Sequence, residues 1–348
     1  MNDHELSQIA ETVDAIVARA ASALRAEEAI LPLLLEAGLR RVAVPVSAGG
    51  SEGEHAYLGV VLKRLGYHAV DTSVLEDHLA AEMLASHADH VPEGMLTLTA
   101  RSELRLSESD GKTVVSGICR QVPSARSSSH IVATATSNER EVLVALAVAD
   151  AELTQRQNLA GEPRDDLRFD LCEPLAVMSG AEVTREFKAR LLCYRSFTML
   201  GAGEHALDLT ITHVTDRTQF GSALSRKQVV QHYVAEMFGA LAAARSACDA
   251  AMLSLESGAC PAVLAASLAT RIEAHRMAST VARLAHQLHG AIGFTEEHIL
   301  HQSTKRLTAW RQDDLAERAC AVELACMVSG LGGPWDLMTA AGGAKAPA

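Results

Sequence analysis

Residues 217–237 read RTQFGSALSRKQVVQHYVAEM, and the stretch changes character halfway. Its second half is helical in pattern: Val230, Tyr233, Val234, Met237 and Leu241 recur at three- and four-residue steps, the spacing that stacks side chains on one helix face. Its first half is a turn carrying Arg217, Gln219, a Phe220-Gly221 pair and Leu224, and Gln228 stands where the helix begins. An arginine and two glutamines at the mouth of a buried helix are either plain surface or one wall of a ligand site. Spacing alone leaves both open.

Working outward, the helical period holds from about residue 185 to 330, broken at QFGSALSRK, SGACP and HGAIGFT. Residues 5–90 are helical too. Leu6, Ile9, Val13, Ile16, Val17 and Leu24 form one stripe, and AILPLLLEAGL forms a short helix with Pro32 expected in its first turn. Between the two helical regions the period drops to two. LTLTARSELRLS, TVVSGICRQV, HIVATATS and REVLVALAVA are β-branched runs parted by turn residues such as Asp110-Gly111. The reading is a multidomain α+β chain: an N-terminal helical domain over 1–92, a small antiparallel β domain over 93–183, a C-terminal four-helix bundle over 184–335 and a flexible tail over 336–348.

Aromatic residues make up 3% of the chain, so Ala, Leu and Val must fill the core. The net charge of −12 speaks against a nucleic-acid surface, which needs clustered Lys and Arg. Seven scattered cysteines without a C-x-x-C pair fit neither a disulfide framework nor a thiolate zinc site. The acidic, amphipathic start is unlike a signal peptide, and no apolar run reaches the length of a membrane span. The expectation is a cytoplasmic protein with no nucleic-acid or membrane partner.

Three motifs have bland readings that outweigh the sharp ones. GGSEG (49–53) matches G-x-S-x-G, but that elbow needs a preceding central strand, and Pro45 in VAVP cannot donate to a ladder. It reads as an interhelical turn. In HQLHGAIGFTEEHILH, the pairs His286/His289 and His298/His301 lack a closed ligand set, so edge or ligand contacts are expected and no metal. Asp313 and Asp314 in AWRQDDLAER read first as a solvated helix end.

Two stretches about 60 residues apart then change the weighting. RTQFGSALSRKQ has the form R-x-x-F-G-x-x-L-x-x-x-Q, and QLHGAIGFTEE has the form Q-x-x-G-x-x-G-F. With LLLEAGLRRVAVPVSAGGSEG and RSFTMLGAGEHALDLTITHVTDRTQFG, they resemble the acyl-CoA dehydrogenase family over nearly the whole chain. The resemblance implies FAD bound between subunits. Arg217 would face the pyrophosphate, and Gln219, Phe220 and Gln228 the adenosine side. Gln287, Leu288, His289, Gly290 and Ala291 would come from a neighbouring subunit, and Gly293 would join the cofactor-binding set. It also implies an acyl-CoA substrate, electron-transfer flavoprotein as acceptor, and a homo-oligomer or a heterotetramer with a second acyl-CoA dehydrogenase subunit.

In that family a carboxylate removes the α-proton of an acyl thioester while the β-hydride passes to flavin N5. Here the sequence departs from the pattern. The family's Glu-Gly-Thr is missing, and counting from Phe294 its Glu falls on Asp314; the alternative base position lands in ARLLCYR (189–195), which has no carboxylate. TARSELRLSESDGK also replaces the family's Thr-Glu…Gly-Ser-Asp stretch. Three readings follow: an FAD-dependent dehydrogenase using Asp314, a non-catalytic subunit that completes the FAD site of a heteromeric enzyme, or a relative with other chemistry such as nitroalkane oxidation.

Overall fold

A computed structural model describes residues 3–21, 26–70, 73–219, 221–258, 260–330 and 333. The chain divides into two compact units, residues 1–58 with 71–191, and residues 59–70 with 192–348. The N-terminal helices and the sheet therefore share one unit, although element type switches near residues 92 and 183 as the periodicity indicates.

The first unit holds α1 (Asp3–Ala20), α2 (Ala26–Glu36), the start of α3 (His55–Tyr67), α4 (Val74–His87) and a seven-stranded sheet. Val13 and Ile16 of the predicted α1 stripe are buried, whereas Leu24 lies outside the described residues. Pro32 corrects its expectation: α2 begins at Ala26, so the proline falls inside the helix, past the first turn. The sheet strands are β1 (Leu96–Ser109), β2 (Lys112–Pro123), β3 (His130–Ser137), β4 (Arg140–Ala147), β5 (Glu152–Thr154), β6 (Arg164–Cys172) and β7 (Ala176–Met178). Their order is β5-β6-β2-β1-β3-β4-β7. Asp110 and Gly111 close the β1–β2 hairpin with φ of 53° and 75°, the left-handed pair that a two-residue turn demands.

The sheet is mixed, not purely antiparallel, because β1 and β3 pair in parallel. β2 finishes beside the start of β1, where Thr97 Oγ1 donates to the Pro123 carbonyl. The turn at Ala125–Ser127 then carries the chain round that end, and β3 sets off alongside β1 in the same direction. Alternate residues of these strands, among them Val115, Ile131, Val144 and Phe169, make the apolar core of the sheet.

Helix α4 is buried along eleven consecutive residues, Val74 to Leu84, including Asp77, His78 and Glu82. Its charges are met from other elements. Arg40 and Arg41 both grip Asp77, with four N–H···O contacts of 2.7–2.9 Å, and Leu96 N–H adds a fifth at 2.8 Å. Glu82 meets His55 at 3.3 Å and pairs with Arg190. Burial by itself would raise the Asp77 carboxyl; the Arg41 and Arg40 guanidiniums outweigh it and hold that group below the usual carboxylate range.

The second unit is the helical bundle: α5 (Ala181–Asp216) from residue 192 onward, α6 (Gln228–Ser257), α7 (Cys260–His289), α8 (Leu300–Trp310) and α9 (Glu317–Gly330). Residues 59–67 of α3 cross α5 backbone to backbone. A Cβ on Gly201 would stand 1.8 Å from the Lys63 carbonyl, and one on Gly66 would stand 2.0 Å from that of Thr198. The face predicted for α6 is observed, with Val230, Met237 and Leu241 buried and Tyr233 and Val234 half-buried. Among the described residues no helix is long and apolar enough to cross a membrane.

Candidate functional site

The turn quoted at the outset is a tight hairpin, β8 (Thr218–Gln219) against β9 (Ser222–Ala223), with Gly221 at φ 77°. The Arg217 N–H continues α5 by donating to the His213 carbonyl at 2.9 Å. The Leu224 N–H closes the hairpin base onto the Arg217 carbonyl at 2.9 Å, and α6 starts four residues later. Arg217 is thereby fixed at the junction of α5 and α6. Phe220 lies outside the described residues.

Beside this hairpin opens a cavity of about 510 Å³. Arg217 and Gln219 form one wall, Leu224, Val230 and Tyr233 a second, and Gln287, Leu288, His289, Gly290 and Ala291 a third. The two motifs thus meet within a single chain. The end of α7 lies against the α5–α6 junction of its own bundle, so Gln287–Ala291 and Arg217 line one cavity of the same chain. Gln228 is the exposed first residue of α6, and Gly293 is buried behind the cavity, where a Cβ would press on His289 Cβ at 2.9 Å. Gly290, at φ 65° with open space about it, turns the chain out of α7.

The donor set suits the ADP portion of a dinucleotide. A guanidinium fork matches a diphosphate, two amides can satisfy polar edges, and aliphatic side chains supply a face for a base. The volume lies in the range of small-molecule sites.

His213, which the sequence reading did not single out, joins His289 and His298. His213 stacks on His289, with ring centroids 4.4 Å apart and planes at 22°, and His298 meets His289 edge-on at 4.7 Å. Burial pushes His289 down to about 4, and burial with the charges of His298 and Arg217 lowers His213. His286 and His301 turn elsewhere, His286 stacking on Phe294 and His301 bonding the His298 carbonyl. Sequence spacing could not find this cluster, because His213 comes from the end of α5.

Asp313 and Asp314 lie in the turn between α8 and α9 rather than on a helix. Three cationic or polar side chains clasp that turn. Arg195 Nε donates to Asp314 Oδ2 at 3.0 Å, with the two side chains 5% and 8% exposed. Arg271, fully buried, donates to the Trp310 and Asp313 carbonyls at 2.6 and 2.8 Å, and His275 Nε2 lies 3.2 Å from the Leu315 carbonyl. Asp314 itself holds φ 58°, a left-handed conformation that the surroundings must enforce. The ARLLCYR segment lies in α5, and its Cys193 and Tyr194 are wholly buried.

The GGSEG loop is preceded by turns rather than a strand, and Ser51 Oγ donates to the Gly38 carbonyl at 2.7 Å. That hydroxyl proton is already committed, and the loop is a connection.

Comparison with known proteins bears on the same stretch: residues 189–311 match the family model for the acyl-CoA dehydrogenase C-terminal domain. The chain is similar to the acyl-CoA dehydrogenase family. It is 28% identical over 317 residues to acyl-CoA dehydrogenase IpdE2 of Mycobacterium tuberculosis, covering 87% of this chain and 90% of that one. Among solved structures it is similar to the Tcur3481-Tcur3483 steroid ACAD G363A variant, with TM-score 0.85 and 21% identity over 94% of this chain and 98% of that one. It is also similar to the ChsE4-ChsE5 complex of M. tuberculosis, with TM-score 0.78 and 17% identity over 99% and 98% of the two chains. These two likenesses establish the acyl-CoA dehydrogenase fold.

Proposed function

We propose that this chain is the nucleotide-holding subunit of a two-component, FAD-dependent acyl-CoA dehydrogenase, and that a second subunit supplies the catalytic base. One observation carries the reading: the carboxylate at the place of the family's base, Asp314, is held by the buried Arg195 in an ion pair. A base that must lift an α-proton needs an oxygen turned to its substrate. The similar Tcur3481-Tcur3483 and ChsE4-ChsE5 structures pair two proteins each, which supports the two-component part.

In this reading Arg217 neutralises the diphosphate, Gln219 and Gln287 hold polar edges of the adenosine portion, and Leu224, Val230 and Leu288 exclude water beside it. FAD, when bound, supplies the acceptor for a hydride from the acyl β-carbon. Electron-transfer flavoprotein then takes the electrons, and the compartment is the cytoplasm. The similar Tcur3481-Tcur3483 protein is a steroid ACAD, which supports a steroid-derived acyl-CoA as substrate class.

The second reading, a self-sufficient dehydrogenase, is favoured by Asp314 standing at the position to which the resemblance assigns the base. Anaerobic mixing separates the two. The purified chain, reconstituted with FAD, is mixed with acyl-CoA thioesters while flavin absorbance is followed. No bleaching alone, and bleaching once a second acyl-CoA dehydrogenase subunit is added, is the expected result. Bleaching by this chain alone, abolished by Asp314→Asn, sinks the proposal.

A further inference from the structure

Arg40 and Arg41 both hold Asp77, and two guanidiniums on one carboxylate leave the trio with a positive charge in excess. Asp77 is wholly buried, and the side chains of Arg40 and Arg41 are 15% and 10% exposed. An excess charge so deeply placed is costly unless a counter-charge meets it.

A count of N–H groups shows where that counter-charge can go. A guanidinium carries five of them. In Arg41, Nε donates to Asp77 Oδ2 at 2.9 Å. Its Nη2 donates to Asp77 Oδ1 at 2.8 Å and to the Gly94 carbonyl at 3.1 Å. The two N–H groups on Nη1 are left, and among the described residues no acceptor meets them. Nη1 faces Gly49, where a Cβ would stand 3.7 Å from it. Gly49, at φ 77°, ends the short turn Val46–Ala48.

Arg41 and Gly49 line one cavity of about 510 Å³. It belongs to the first compact unit, whereas the Arg217 cavity belongs to the second. Ser47 adds a hydroxyl to its wall, and Val91 and Pro92 add apolar surface. Asp89 and Glu93, both exposed, also line it.

These groups narrow the ligand chemistry. Open guanidinium N–H groups call for an anion. The carboxylates of Asp89 and Glu93 repel a second negative charge, which disfavours a phosphate or a dicarboxylate. The apolar surface accepts a short carbon chain. A singly charged carboxylate meets all three conditions. We propose that this cavity is a binding site for a small monocarboxylate, held by Arg41 Nη1 and separate from the nucleotide cavity.

The test is a saturation-transfer NMR titration of the full chain with butyrate, succinate, inorganic phosphate and butylammonium. Butyrate is expected to saturate with a Kd of about 1–10 mM, the range open to so small a ligand. Succinate and phosphate are expected to bind at least about threefold more weakly, the scale of an exposed charge contact, and butylammonium not at all. Arg41→Lys keeps the charge, but one ammonium cannot both hold Asp77 and face the cavity. It is expected to weaken butyrate about tenfold or more. Ala88→Trp fills the cavity from the half-buried residue that follows α4, and it changes neither Asp77 nor its arginines. It is expected to abolish butyrate binding. If Arg41→Lys does not fold, Ala88→Trp decides the matter. Absence of saturation up to about 50 mM butyrate overturns the proposal. Tighter binding of phosphate or succinate than of butyrate overturns the assignment to a monocarboxylate. Butyrate binding that survives Ala88→Trp puts the anion elsewhere on the chain and overturns the site.

Discussion

Replacing Asp314 by Asn separates the two roles that a carboxylate at this position can have. Asn keeps the side-chain shape and one accepting oxygen, and it tolerates the left-handed φ of 58° well, so the change isolates the charge. In the parent, Asp314 Oδ2 accepts from Arg195 Nε at 3.0 Å, and both side chains are over nine-tenths buried. Removing one partner of a buried pair costs about 3–5 kcal/mol. Arg195 keeps further contacts and Asn keeps a neutral hydrogen bond, so about 2–3 kcal/mol is the working figure. For a unit of this size that lowers Tm by roughly 4–12 °C. The assay is thermal unfolding by calorimetry, with Glu317→Gln as control. Glu317 pairs with Arg276 at 3.3 Å with side chains 40% and 61% exposed, so its loss is expected to cost under about 1 kcal/mol. An Asp314→Asn protein as stable as its parent, yet unable to have its flavin reduced by substrate, would refute the reasoning. The carboxylate would then be free to act as a base.

Arg217→Ala is expected to weaken ADP or FAD binding about 10- to 100-fold by titration, because charge-assisted bonds to a diphosphate are lost. Arg226→Ala, outside the cavity wall, is expected to leave affinity within about twofold. Acidification is expected to destabilise both units between about pH 6.5 and 4. His55, His275 and His289 are lowered to about 4 and His78 to about 3, chiefly by burial, so the unfolded chain binds more protons throughout that window. Stability from these groups is complete above pH 6.5 and is lost as pH falls toward their folded values. Urea midpoints at pH 7 and pH 5 measure it, and equal midpoints count against neutral burial. Gly201→Ala is expected to cost more than about 2 kcal/mol, since its Cβ would meet the Lys63 carbonyl at 1.8 Å and backbone must move; circular dichroism melting reads the loss.

Much of this was legible from residue patterns, and the failures have identifiable causes. Period-two runs gave the strands and Asp110-Gly111 gave a hairpin, but alternation is the same in parallel and antiparallel pairs, so the direction of β3 was hidden. Helix α4 escapes the amphipathic rule because it is covered on every side and carries charges whose partners lie elsewhere in the chain. The α5–α6 turn and the end of α7 could be tied to one nucleotide by motif. That they meet in a single chain depended on how α6 and α7 pack. The Asp314–Arg195 pair spans 119 residues, and neither side chain names the other. The donor or acceptor character of His289 and His298 is set by backbone groups, which no side-chain pattern reports.

The burial of α4 has a consequence for how the protein is made. Arg40 and Arg41 leave the ribosome before Asp77 does, so that carboxylate can be neutralised early. Glu82 must wait for Arg190, 108 residues further on. At about 5–20 residues per second the delay is on the order of 5–20 s. Throughout that interval Glu82 has His55 beside it but not the guanidinium that completes its ion pair. Completion of the α4 ion pairs therefore waits on α5, made after every strand of the sheet.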